Sequence, residues 1–338
     1  MTSRTSDALP DAYAVLLPAI AGADVEASFD GFLHNGGRAI LLGETRDEYV
    51  ARRMSSERLA SETPERLREE LTRARAKYGP LIVAVDQELG GIQRLEGLVP
   101  TLPTAASAAL MSNEEIENTC LSCAKAAGRL GVNMFLAPIL DVVTGANPWL
   151  AGRTLGGDID AVGRIGAAYV RGVQRAGVVA VAKHFPGYSD LAGDPALIDV
   201  SLRVTDDDLW RRAAPFQQAI AAGVRAVMVG PAPVTVVDEF NSASTSPQLI
   251  RHLKEQLGFT GLVITDDIDA PATLRGRKLE EVAVSALAAG ADLLLLSHGP
   301  HLPRLCEHIV SAVNNGLLSR ERLAEAASRV RSLAAQHS

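Results

Sequence analysis

The chain has 338 residues, 47% of them hydrophobic and 22% charged, enough apolar material for a large packed core and too much for a disordered chain. Its formal net charge of −7 argues against a nucleic-acid partner, which would call for a basic face. Three cysteines, Cys120, Cys123 and Cys306, are too few for a disulfide framework, and no apolar run reaches the roughly 18 residues that a membrane span requires.

The first apolar segment, Ala12 to Ala23, imitates the core of a signal peptide, but Asp7 and Asp11 precede it where positive charge is expected. It also reads as a first buried strand over Tyr13–Leu17, so a cytoplasmic location is the expectation. Further short apolar runs follow at Ala39–Leu42, Leu81–Val85, Met134–Ala137, Val178–Val181, Ala226–Val229, Leu262–Thr265 and Leu293–Ser297. Each is apolar nearly throughout, as parallel strands buried on both faces are, rather than alternating like a half-wet sheet. Between them lie segments with helical spacing, Arg66–Tyr78, Glu114–Leu130, Ala161–Ala176, Asp206–Ala222, Ser246–Leu257 and Leu279–Ala289, and Val310–Gln336 follows the last run as the closing helices.

Strand-then-helix units repeated to a total of eight strands predict an α/β fold, one TIM-type (β/α)8 barrel domain over residues 1–338. An open doubly wound sheet is the competing arrangement, but no G-x-G-x-x-G follows an early strand. Cys120 and Cys123 spell C-x-x-C inside a helical stretch with no second pair nearby, so neither a metal nor a redox role is expected.

In such a barrel the active site lies at the C-terminal ends of the strands. After the third run come Asp86, Gln87 and Glu88, then Gly90, Gly91 and Arg94. After the fourth come Pro138 and Asp141, and after the fifth Lys183 and His184. The seventh ends in Thr265-Asp266-Asp267 and the eighth in Ser297-His298. A carboxylate at a strand end often caps the next helix, a Lys-His pair can be a structural ion pair, and Asp141 can bind the backbone of its own loop. Those bland accounts do not explain polar sites at the same end of five different strands.

Six segments carry a resemblance. Val83 to Leu95 (VAVDQELGGIQRL) resembles the D-Q-E-G-G-R-V-Q-R segment of family 3 glycoside hydrolases, in particular the β-N-acetylhexosaminidase branch. Asn133 to Val142 resembles its N-x-x-F-A-P-V-L-D-V, and Gly152 to Asp158 its R-S-F-G-x-D. Val181 to Asp194 resembles K-H-F-P-G-H-G-D-x-x-x-D-S-H. Gly258 to Ala270 resembles G-F-x-G-V-I-x-S-D-D-L-x-M, and Ala289 to His298 A-G-x-D-M-x-L-x-C-N. The resemblance implies a retaining β-glycosidase with Asp266 as nucleophile, a first-choice β-linked N-acetylglucosaminide as substrate, and neither metal nor organic cofactor. Asp86, Arg94, Arg153, Lys183 and His184 would hold the sugar, with His298 as a further contact. A retaining enzyme sets a carboxylate about 5–5.5 Å from an acid, and nearby Lys and Arg keep that carboxylate ionised.

The chain departs from the branch at the proton donor. Counting from Lys183, the loop Asp falls at Asp194, but its His partner falls at Ala196; Tyr188 replaces an earlier loop His, Gly91 an arginine, and Pro231 a further His. Asp194 is then the candidate acid/base, with Asp190 or His298 as substitutes. A β-glucosidase, or a specialised glycosidase with an unusual acid/base, is the alternative enzyme. Two further functions compete: a sugar-binding protein that has lost catalysis, and an aldolase forming a Schiff base on Lys183. The partner expected is a small carbohydrate, with no nucleic acid and no membrane; the sequence leaves the oligomeric state open.

Overall fold

The computed structural model of the protein describes residues 8–337; Asp7 lies outside the described residues. Among the described residues ten strands are present: β1 Leu16–Ile20, β2 Ala39–Leu42, β3 Ile82–Val85, β4 Met134–Phe135, β5 Val179–Phe185, β6 Ala226–Val229, β7 Pro233–Val234, β8 Asp238–Ser242, β9 Leu262–Thr265 and β10 Leu294–Ser297. Eight of them form one parallel sheet in the order β10-β1-β2-β3-β4-β5-β6-β9. A parallel bridge from Ile264 to Leu293 joins its two ends and closes the ring. The fold is the expected (β/α)8 barrel.

Side-chain alternation explains why the strands read as unbroken apolar runs. Ala39 and Leu41, Ile82 and Ala84, and Ala226 and Met228 point into the barrel and form an interior cluster. Their neighbours Ile40 and Leu42, Val83 and Val85, and Val227 and Val229 point outward into the larger core beneath the helices. With both faces covered, no strand needs a polar side.

The first strand differs from the expectation. Tyr13 and Ala14 end a short buried helix, Ala8–Ala14, and the strand begins at Leu16, three residues later than expected. A short apolar run does not distinguish buried helix from buried strand. Here the helix wins because Asp11 anchors it to the last helix, Arg320–Gln336, through Arg331 at 2.6 Å and Arg320 at 2.7 Å. Leu16 to Ala19 then pair with Leu294 to Ser297, so the signal-like segment supplies a barrel strand. The antiparallel hairpin β7–β8, between β6 and β9, was not anticipated. Asp206–Ala222 is broken into two helices, with Pro215 in the first turn of the second. Cys120 and Cys123 are buried in the helix Asn113–Leu130; burial pushes both thiols up, Cys123 to about 12, the opposite of a reactive thiolate. Among the described residues no helix is long and apolar enough to cross a membrane.

Candidate active site

At the C-terminal end of the barrel lies a cavity of about 310 Å³, at the small end of the range for ligand sites. Its apolar floor is the top of the barrel interior, since Leu41, Leu136, Met228 and Leu295 belong to both. Its walls carry Asp86 beyond β3, Arg153 from the loop after β4, Lys183 and His184 from β5, and Asp266 and Asp267 beyond β9.

On the β3–β5 side every charge has a partner. Lys183 Nζ reaches Asp86 Oδ1 at 2.5 Å and Glu88 Oε1 at 2.9 Å. Arg153 grips Glu88 with two parallel bonds, at 3.1 and 2.5 Å, and donates to the Tyr49 hydroxyl at 2.6 Å. Burial alone would raise the Glu88 carboxyl, but Arg153 and Lys183 reverse this and hold it well below the usual range. Burial alone would likewise lower Lys183, and Asp86 and Glu88 hold it above its ordinary value. Such a lysine is a fixed cation, unlike the neutral amine a Schiff base requires, so the aldolase alternative loses its chemical basis. Gly91 is part of this arrangement: a Cβ there would collide with the Glu88 carboxylate.

His184 is held from below by Asp141. Asp141 Oδ2 accepts the His184 backbone N–H at 3.0 Å and pairs with the ring Nδ1 at 2.8 Å, while Oδ1 accepts the Tyr188 N–H at 2.6 Å. Asp141 thus binds the loop after β5, not its own loop. The His184 ring packs on Trp149 at 4.4 Å and presents Nε2 to Asp266 Oδ2 at 3.8 Å. Tyr188, at the place of a branch histidine, is buried with its hydroxyl donating to Ala232 O.

Asp266 has one engaged and one free oxygen. Oδ1 accepts the Asp267 N–H at 2.8 Å, and its own N–H donates to Val229 O at 2.9 Å. Oδ2 is buried without a hydrogen-bond partner. Burial pushes this carboxyl up, and His184, Lys183 and Arg153 pull it back toward the ionised form. Asp267 is raised further, by burial and by the charges of Asp266, Asp269 and Asp86.

Three expected site residues stand elsewhere. Arg94 is buried behind the wall, where it makes a bidentate pair with Glu62 at 2.8 Å and donates to Gly43 O at 2.9 Å. His298 packs edge-on against Phe29 at 4.8 Å and does not line the cavity. Asp194 has both carboxylate oxygens occupied, one by Arg46 at 3.3 Å and the other by the Ala196 N–H at 3.0 Å. Its neighbours Pro195 and Ala196 line the cavity in its stead, and Asp190 is exposed. Conversely, the cavity includes Glu44, Arg46 and Tyr49 beyond β2, and Trp149, none of which was anticipated. The rule that found Asp86 and Lys183 would have found Glu44, because it follows the second apolar run by two residues. Nothing local marks Trp149 except that it is one of only two tryptophans.

Comparison with known proteins agrees with this architecture. A "Beta-hexosaminidase" of Thiobacillus denitrificans is 32% identical over 236 residues, 67% of this chain and 65% of that protein. A "Beta-N-acetylglucosaminidase/beta-glucosidase" of Cellulomonas fimi is 28% identical over 76% of this chain and 47% of that protein. The matched stretch thus spans under two thirds of either curated relative. A solved structure described as a glycosyl hydrolase of the GH3 family, from Mycobacterium smegmatis, superposes with a TM-score of 0.82 at 26% identity, covering 96% of both chains. Residues 40–333 match the Glycosyl hydrolase family 3 N terminal domain, and the chain belongs to that family.

Proposed function

We propose that residues 8–337 act as one barrel domain and that the protein is a retaining β-glycosidase whose nucleophile is Asp266. The observation that carries this reading is the asymmetry of the Asp266 carboxylate on the cavity wall, with Oδ1 fixed by the Asp267 N–H and Oδ2 without a hydrogen-bond partner, His184 Nε2 standing 3.8 Å away. Oδ2 attacks the anomeric carbon, the glycosidic C–O bond breaks, and the leaving oxygen takes the electron pair. Water then attacks the anomeric carbon, the bond to Asp266 breaks with its electron pair returning to the carboxylate, and the water's proton passes to solvent as the sugar is released. Lys183, Arg153 and His184 oppose the effect of burial and favour the ionised nucleophile. No step requires a metal or an organic cofactor.

The proton donor is the unusual part. Ala196 stands at the cavity where the branch would place histidine, and Asp194 is engaged by Arg46. Both Asp194 oxygens are engaged and Asp194 does not line the cavity, so the first step depends on leaving groups that depart with little assistance. For the glycone, an N-acetyl-β-glucosaminide is the first choice and a β-glucoside the second, in keeping with the names of the relatives. A cytoplasmic site of action agrees with the acidic approach to the first apolar segment. The same missing donor favours one other reading, a sugar-binding protein without turnover.

A panel of dinitrophenyl β-glycosides tests the proposal, because that leaving group needs no acid. Turnover of one sugar, abolished in Asp266→Asn, is the expected result. Binding of a sugar without turnover of any member favours the binding protein.

A further inference from the structure

The charges around the cavity do not balance. Lys183 and Arg153 are its two inner cations, and they are committed to Asp86 and Glu88. Arg46 is committed to Asp194 and Arg94 to Glu62. Among the described residues, three carboxyl groups on the wall, those of Glu44, Asp266 and Asp267, make no salt bridge to Lys or Arg. Asp266 has a role as nucleophile, and Asp267 positions it through its N–H. Glu44 has no such role, yet its Oε1 is shut off from solvent and makes no hydrogen bond.

The place of Glu44 says which part of a ligand it meets. It follows β2, beside β3 and Asp86, and its electrostatic neighbours are Asp86, Arg94 and Glu88. Asp266 follows β9, which is separated from β2 around the ring by β10 and β1. A sugar with its anomeric carbon at Asp266 would place the breaking bond on the β9 side of the cavity and turn its far edge, C4 and C6, toward the β2 side, where Glu44 stands.

Resting on the glycosidase reading of this site, we infer that the cavity selects a glycone with a protonated amine at C4 or C6, bound by Glu44. A hydroxyl offers the free oxygen only a neutral hydrogen bond. An ammonium group satisfies the same oxygen and supplies the missing positive charge, and charge-assisted bonds are roughly twice as strong as neutral ones. Burial and the nearby Asp86 push Glu44 up to about 8, so an ammonium that binds at neutral pH replaces a carboxyl proton, which passes to water.

The test is binding to wild-type protein and to Glu44→Gln, measured by calorimetry at neutral pH. The probes are glucose, N-acetylglucosamine and the 4-amino-4-deoxy and 6-amino-6-deoxy analogue of each. Wild-type protein should bind one amino sugar at least about tenfold more tightly than its parent, roughly 1.4 kcal/mol, and Glu44→Gln should bring that ratio to about one. Parent sugars binding as tightly as the amino sugars in wild-type protein would overturn the inference. So would a preference that survives in Glu44→Gln, or binding of none of the probes. Since no turnover is needed, failure of the glycosidase reading is seen separately, in the dinitrophenyl panel.

Discussion

The two sides of the cavity are built on opposite principles. Toward β3 and β5, Asp86, Glu88, Arg153 and Lys183 form a closed network in which each charge is buried against its opposite. Toward β2 and β9, Glu44 and Asp266 each keep a buried oxygen with no hydrogen-bond partner. The first arrangement fixes shape: a sugar meeting it finds groups already aligned by one another. The second stores unmet electrostatic demand, which a substrate or transition state can satisfy. The paired side is therefore important for stability, and the unpaired side for chemistry.

The largest expected effect on stability is on the paired side. Glu88→Ala leaves buried Arg153 without its carboxylate and Lys183 with Asp86 alone, and should cost about 3–5 kcal/mol, read as a fall in the denaturant midpoint. A loss under about 1 kcal/mol would break the contrast between the two sides. Asp141→Asn comes next: one acceptor oxygen that fixes His184 or Tyr188 becomes a donor facing a donor. It should lose about 1–3 kcal/mol of stability, with a fall in kcat for the best glycoside of the panel.

On the unpaired side the sign reverses. Glu44 is raised in the folded protein from 4.5 to about 8. The folded state therefore binds this proton more tightly than the unfolded chain does. The stability it contributes is complete below about pH 4.5 and is lost as pH rises toward 8. Glu44→Gln should flatten that part of the curve of unfolding free energy against pH, and an unchanged slope would show that Glu44 is not held in this state. The smallest effect is expected for His298→Ala. Its ring packs on Phe29 outside the cavity, so kcat/KM should stay within about twofold of wild type; a large loss would return His298 to the site.

What could be read from the sequence divides along a physical line. Strand-end position is local, so Asp86, Lys183, His184 and Asp266 were legible from the apolar run that each follows or ends. Arg153 came only through the family resemblance. Side-chain direction is not local. Arg94 turns from the cavity because Glu62, thirty-two positions earlier, offers it a bidentate partner. Asp194 is likewise claimed by Arg46, from another strand's loop. The start of β1 was misplaced because an apolar run lacks direction, and the ion pairs of Asp11 with the last helix decide it. Glu44 was legible by the strand-end rule, but its lack of a partner emerges only when the surrounding charges are seen in place.

The role of Asp266 is tested most directly in the first turnover of a dinitrophenyl β-glycoside that the protein accepts, followed by rapid mixing and by intact-protein mass. With an unaided leaving group and no loop histidine to activate water, the glycosyl-enzyme should form faster than it breaks down. The expected result is a stoichiometric burst of dinitrophenolate and a protein heavier by one sugar residue, with the added mass on the peptide containing Asp266. A burst that persists in Asp266→Asn, or an adduct on another residue, would contradict it.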